Sequence, residues 1–149
     1  MFEAKDIAEW FVNWAHAGEE PSDVTNLKLQ KLLYYAQAHH LGQHEIPLFG
    51  DSIQAWSHGP VVPSVYRAYK AYGSNPVQSV DPTFSWEKFP QPAMEYLATV
   101  WNTYGQYSAW QLRNMTHSEK PWASHFDADK RGVEIPKESM LVAFRPFGG

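Results

Sequence analysis

Thr25-Asn26-Leu27-Lys28-Leu29-Gln30-Lys31-Leu32-Leu33-Tyr34-Tyr35-Ala36-Gln37-Ala38-His39-His40-Leu41 is the stretch that decides the fold. Leu29, Leu32, Leu33 and Ala36 recur at three- and four-residue spacing and make one apolar stripe of a helix. Leu27, Tyr34, Ala38 and Leu41 widen that stripe to most of the circumference. A helix apolar over so much of its surface belongs at the centre of a domain, packed on several sides. Lys28, Lys31, Tyr35 and His39 share the strip that remains, and the two lysines read as a solvated face. Thr25 or Asn26 supplies the N-terminal cap, and Gly42 is the expected stop.

Outward from this centre the chain continues in short helices. Ile7, Trp10, Phe11 and Trp14 form one face of a helix over residues 4–17. Pro63 opens a third helix, with Val65, Ala68, Tyr69 and Tyr72 on its buried side and Gly73 as its end. Met94, Leu97, Ala98 and Trp101 are in register over residues 93–104. Ser108 and Gln111 match a capping box for a fifth helix. Thr116 and Glu119 match a second box, ahead of a further turn, and Pro136 opens the last helix. Residues 74–92 hold four prolines and no helical period, which makes them a functional loop or one wrapped onto the surface by Phe84, Trp86 and Phe89. The fold class is therefore mainly α. We expect a single compact domain over residues 1–149, of six or seven helices, with at most a short β element around residues 53–58 and a loose tail over residues 143–149.

Composition bounds the function. The chain has 149 residues, 44% of them hydrophobic and 15% aromatic, enough for one core with aromatics left over to anchor a partner. A formal net charge of −4 disfavours nucleic acid as the main ligand, since phosphate binding needs a basic surface. With no cysteine, disulfides and thiolate zinc sites are excluded. The first residues carry no apolar signal core and no stretch approaches a bilayer span, so the expected location is the cytoplasm.

His58 follows a possible strand and opens the His58-Gly59-Pro60 turn, a shaped loop. His117 is the other histidine in a distinctive segment. Each serves either as a hydrogen-bonded loop tie or as a site residue, and the tie is the favoured reading. No nucleophile context stands beside them, so we assign no catalytic residue. His40 and His44 share a helix face only if the helix passes Gly42, and the H-E-x-x-H pattern is absent, so no metal and no cofactor is expected. At least one of Tyr34 and Tyr35 should bury its ring and direct its hydroxyl to a partner such as His58. Trp56 and Trp122 are either core plugs or aromatic anchors, and exposed aromatics would favour a homodimer.

Three blocks together resemble one family. Residues 25–37, quoted above, resemble the signature helix of the Panacea domain. Ala55-Trp56-Ser57-His58-Gly59-Pro60-Val61-Val62-Pro63-Ser64-Val65-Tyr66 resembles its W-x-H-G-P-V loop, and Thr116-His117-Ser118-Glu119-Lys120-Pro121-Trp122 its T-H-x-E-x-P-W segment. The blocks occur in family order within residues 4–126. The resemblance, to SocA-like antitoxins and GepA-like phage-associated proteins, implies a helical antitoxin encoded beside a toxin gene, often in a prophage. It implies neutralisation of a cognate toxin by direct protein contact, and no enzyme activity. The alternative is an adaptor that delivers a partner to a protease. A histidine-dependent enzyme and a DNA-binding regulator of the operon stand further back. Partner contact is expected from Lys31, Tyr35, Trp56, His58, Tyr66 and Trp122. Leu29, Leu32, Leu33, Tyr34, Gly59, Pro60, His117 and Pro121 are expected to carry the structure of the motif.

Overall fold

In the computed structural model, which describes residues 1–146, the chain forms seven α-helices and one small sheet. The helices are α1 (Ala4–Ala17), α2 (Asn26–His44), α3 (Pro63–Tyr69), α4 (Gln91–Tyr104), α5 (Ala109–His117), α6 (Lys120–Ala123) and α7 (Lys137–Phe144). The strands are β1 (Ile53–Trp56), β2 (Gly59–Val61) and β3 (Val133–Ile135), antiparallel in the order β2-β1-β3. The mainly α single domain is as expected, but the β element is larger. A three-residue segment after the charged loop is too short to announce itself as a strand. It pairs because Ile135 faces Ile53 across the register and is buried with it.

Helix α2 is central. It packs against α1, α3, α4, α5, α7 and β2, and Leu29, Leu32, Leu33, Tyr34, Tyr35, Ala36 and Ala38 are all fully buried. Thr25 caps it by accepting the amide of Lys28 at 3.2 Å. The strip assigned to solvent is also buried: Lys28 and Lys31 are 0% exposed. A lysine can enter a core when its aliphatic stem packs and its ammonium finds oxygen. Lys28 donates to both carboxylate oxygens of Asp23 at 2.9 Å and to the carbonyl of Gly105 at 2.6 Å.

Gly42 does not stop α2. The helix runs on to His44 and ends at Glu45, left-handed at φ 60°, whose amide donates to the carbonyl of Leu41 at 2.9 Å. Gly42 is instead a point of close approach. A Cβ there would lie 2.1 Å from the carbonyl oxygen of Phe144, so α7 can close on α2 only over a bare Cα. This also corrects the expected loose tail, because residues 143 and 144 are helical and the Phe144 ring lies 4.8 Å from that of His39. Residues 147–149 of that tail lie outside the described residues.

The proline-rich segment over residues 74–92 is wrapped onto the fold. Trp86 meets Trp10, Trp14 and Phe84 edge to face, and Phe89 stacks on Phe2. Glu9 anchors its middle, accepting the hydroxyls of Tyr69 and Ser79 and the amide of Val80. The Ser108–Gln111 capping box forms as expected, but the Thr116–Glu119 box does not. Thr116 lies inside α5, where its hydroxyl donates to the carbonyl of Arg113, and Glu119 is itself the N-cap residue of α6. Among the described residues no helix is long and apolar enough to cross a membrane.

Candidate functional site

The second and third distinctive blocks meet over α2. Strands β1 and β2 are joined by the tight turn at Ser57 and His58, and the turn lies against the end of α5 and the start of α6. Polar side chains of α2 hold this arrangement from beneath. Gln30 accepts the amide of Val62 at 2.9 Å and donates to Asn26, which donates to the carbonyl of Tyr66 at 3.0 Å. Gln37 accepts the amide of Leu48 at 2.8 Å and donates to the carbonyl of Phe49 at 2.6 Å. Buried backbone groups that leave secondary structure must find such partners, and α2 supplies them from positions the hydrophobic stripe leaves free.

Gly59 is required by position. It sits at φ +117°, and a Cβ there would come within 2.5 Å of Lys31 Cε and 3.1 Å of Thr116 Oγ1. The turn therefore rests directly on the buried lysine, whose ammonium donates to the carbonyl of Pro60 at 3.3 Å. Burial, and secondarily the Arg113 guanidinium, pull the Lys31 amine down to about 7.

Two aromatic tiers flank the turn. Trp56 packs edge-on to Tyr66 and His58, at 5.0 and 6.0 Å between centroids. His117 stacks flat on Trp122 at 3.8 Å, and Trp122 on Phe126 at 4.8 Å. The indole N–H of Trp122 donates to the carbonyl of Trp56 at 2.7 Å and joins the tiers. Trp56, His58, Tyr66, His117 and Trp122 are all half-buried. Beside them opens a cleft of about 660 Å³ between the β1–β2 turn and residues 126–132, lined by Trp56, His58, Phe126, Lys130 and Arg131 among others. Burial, followed by the charges of Lys31 and Arg113, holds the His58 imidazole below its usual range, and burial followed by Arg113 and Lys31 does the same at His117.

One turn further along α2 is a different cluster. Tyr34 and Tyr35 donate their hydroxyls to the two carboxylate oxygens of Glu119, each at 3.0 Å. Both hydroxyls thus go to Glu119, against the expectation of a bond to His58. Burial raises the Glu119 carboxyl, and the two hydroxyl bonds oppose the rise. Tyr35 stacks on Tyr104 at 3.9 Å, and Tyr104, pushed up to about 12 chiefly by burial, bonds His39 at 2.6 Å.

The structure thus gathers Lys31, Trp56, His58, Tyr66, His117 and Trp122 at one place, and sets Tyr35 apart with Glu119. Lys31 and Tyr35, expected to touch a partner, are 0% exposed and lie beneath the site rather than on it. Leu29, Leu32, Leu33, Tyr34, Gly59, Pro60 and Pro121 are buried. Sequence reasoning missed Arg113 and Trp110. Arg113 precedes His117 by one helical turn, and its guanidinium lies 4.5 Å from the ring of Trp110, which is 63% exposed. The spacing Trp110, Arg113, His117 on one helix face was the available signal. Among the described residues no cluster of three or more His, Asp and Glu side chains could hold a metal ion.

The sequence profile of the family described as antitoxin SocA-like, Panacea domain, matches residues 29–123. The chain belongs to this family. The matched region runs from the first turn of α2 to the end of α6, so it contains the Panacea helix, the Gly59 turn and the segment carrying His117, Glu119 and Trp122. The chain is also similar to Antitoxin SocA of Caulobacter vibrioides (strain NA1000 / CB15N), at 39% identity over 71 residues. That similarity covers 48% of this chain and 37% of the relative's length. No solved structure matches the chain.

Proposed function

We propose that this Panacea protein is the antitoxin of a two-gene toxin–antitoxin system, acting in the cytoplasm by binding its cognate toxin directly and without catalysis. The observation that carries the reading is the family match over residues 29–123, the segment that builds the half-exposed aromatic and basic face around the Gly59 turn. That face has the composition of an interaction surface. Tryptophan and arginine are enriched among the residues that dominate binding energy; here Trp56 and Arg131 line one cleft, Trp122 is bonded to Trp56, and Trp110 is exposed against Arg113 on α5. The internal arrangement of the face supports occlusion by a preformed surface: Gly59 rests on Lys31, Gln30 holds the amide of Val62 from beneath, and Trp122 is tied across to the carbonyl of Trp56. A stable complex of this kind buries roughly 1,200 Å² or more in total. Association of two copies through the exposed aromatics is a further part of the proposal.

Co-expression tests it. The product of the adjacent gene should stop growth alone, and growth should return when this chain is co-expressed and co-purifies with it in a fixed ratio. Equal toxicity with and without the chain rejects the reading.

A further inference from the structure

His40 and His44 can act together only if α2 continues past Gly42, and it does, running to His44. The two histidines stand two residues either side of Gly42, so they lie on the face of α2 turned away from Phe144. Four residues apart, they pack ring against ring at 4.8 Å between centroids. His40 is half-buried and His44 is exposed.

The His40 ring is held in one orientation. Glu45, left-handed at φ 60°, turns the chain back after the helix, and the carbonyl of Ile46 comes to 2.8 Å from His40 Nδ1. A carbonyl only accepts, so Nδ1 carries the hydrogen and Nε2 of the neutral ring keeps its lone pair. Tyr96 of α4 meets the same ring edge to face at 5.5 Å, and its own hydroxyl donates to the carbonyl of Ala36 at 2.6 Å. Among the described residues His40 Nε2 has no hydrogen-bond partner and is open to solvent. The remaining histidines have different neighbours. His39 packs on Tyr35, Tyr104 and Phe144, His58 on Trp56 and His117 on Trp122. His16 and His125 bond the carbonyls of Val77 and Pro121.

We propose that His40, through Nε2, and His44 together bind a divalent transition-metal ion of the zinc class at the end of α2. Two histidines at i and i+4 on one helix face are the spacing by which helices hold zinc. Metal-binding imidazoles ordinarily donate their other N–H to a carbonyl or carboxylate, which fixes tautomer and orientation, and Ile46 does this for His40. Two nitrogens about 2.1 Å from one ion hold their rings roughly as far apart as these. No third side chain completes the set among the described residues, so water takes the remaining positions. Imidazole suits zinc, nickel or copper, whereas magnesium takes oxygen. The site lies more than two helical turns along α2 from Lys31 and the Gly59 turn, and it does not depend on the antitoxin reading.

Calorimetry and imidazole NMR of the full chain, titrated with zinc chloride beside magnesium chloride, test the proposal. Zinc should bind saturably at one ion per chain and shift the His40 and His44 ring signals together, and magnesium should shift neither. The zinc-free chain should already show His40 as the Nδ1–H tautomer. His40→Asn and His44→Asn should each weaken zinc by about tenfold or more. His44 is exposed, so His44→Asn should keep the far-UV circular dichroism of the parent and carries the measurement should His40→Asn fold poorly. Zinc should also raise the thermal midpoint of the parent and not that of His44→Asn. Ring signals of His40 and His44 that ignore zinc overturn the proposal. Zinc binding of equal strength in His44→Asn also overturns it and puts the ion elsewhere. Magnesium shifts as large as those of zinc overturn it as well.

Discussion

Two polar clusters lie one turn apart along α2, and the fold treats them in opposite ways. At Tyr34 and Tyr35 a single buried carboxylate, Glu119, receives both hydroxyls and is satisfied inside the protein. At Lys31 the group beneath the Gly59 turn is a cation with one hydrogen bond at 3.3 Å, and its basic neighbours have two orphaned ring nitrogens between them. The first arrangement fixes α6 to the central helix. The second keeps a region short of partners next to an open cleft. A buried polar group that is fully paired serves the fold, whereas buried nitrogens left unpaired cost it stability and are the exception in native proteins.

The sharpest way to break this contrast is Glu119→Ala. It strands two buried hydroxyls and should cost about 3 kcal/mol, or roughly 10 °C in thermal midpoint by circular dichroism. Glu119→Gln, which keeps an acceptor, should lose about half as much. A loss from Glu119→Ala no greater than that of an exposed substitution would mean that the carboxylate is not the fixing point. Next in size is Gly59→Ala. The positive φ and the overlap with Lys31 Cε call for a loss of about 2 kcal/mol in urea unfolding, with altered His58 and His117 ring signals. Unchanged ring signals would separate the turn from the histidines.

Lys31 gives a subtler test through pH. Burial lowers its amine in the folded state to about 7, from the ordinary lysine value near 10.5 in the unfolded chain. Between these values the unfolded chain binds the extra proton, so stability rises with pH from about 7 toward 10, by up to about 1.4 kcal/mol per unit. Below about 7 both states are charged and the contribution is flat. Lys31→Met should remove the rise, and unfolding midpoints at pH 7, 8 and 9 check it. A slope that persists in Lys31→Met would assign the linkage to another group. The smallest effect belongs to Trp110→Ala. With the ring 63% exposed, stability should change by no more than about 0.5 kcal/mol. A loss of the proposed toxin neutralisation in that variant would then report a contact rather than a folding defect.

The helical class, the central position of α2 and the boundaries of α1 could be read directly, because Leu29, Leu32, Leu33 and Ala36 leave no other way to bury themselves. What could not be read was long-range. Lys28 and Lys31 look solvated in any local window, and they are buried because Asp23, Gly105 and Pro60 arrive from other segments. Gly42 looks like a helix stop until Phe144 is seen lying over it. Glu119 looks like half of a capping box, because spacing alone does not reveal two tyrosine hydroxyls more than eighty residues away in sequence. The site was legible as segments: His58, Trp56, His117 and Trp122 do converge. Arg113 falls between the distinctive blocks and stands out only once α5 is placed against the turn.

The seat of α7 on Gly42 bears on how the molecule is made. The ribosome releases α2 long before residues 137–144 exist, and Phe144 is the residue that covers the edges of Tyr34, Tyr35 and His39. Until then the nascent chain carries its central helix with one aromatic side bare, the kind of surface that chaperones and proteases engage. Closure of the core thereby waits on the synthesis of α7, and a chain cut short before that helix reaches the cell with that side still open.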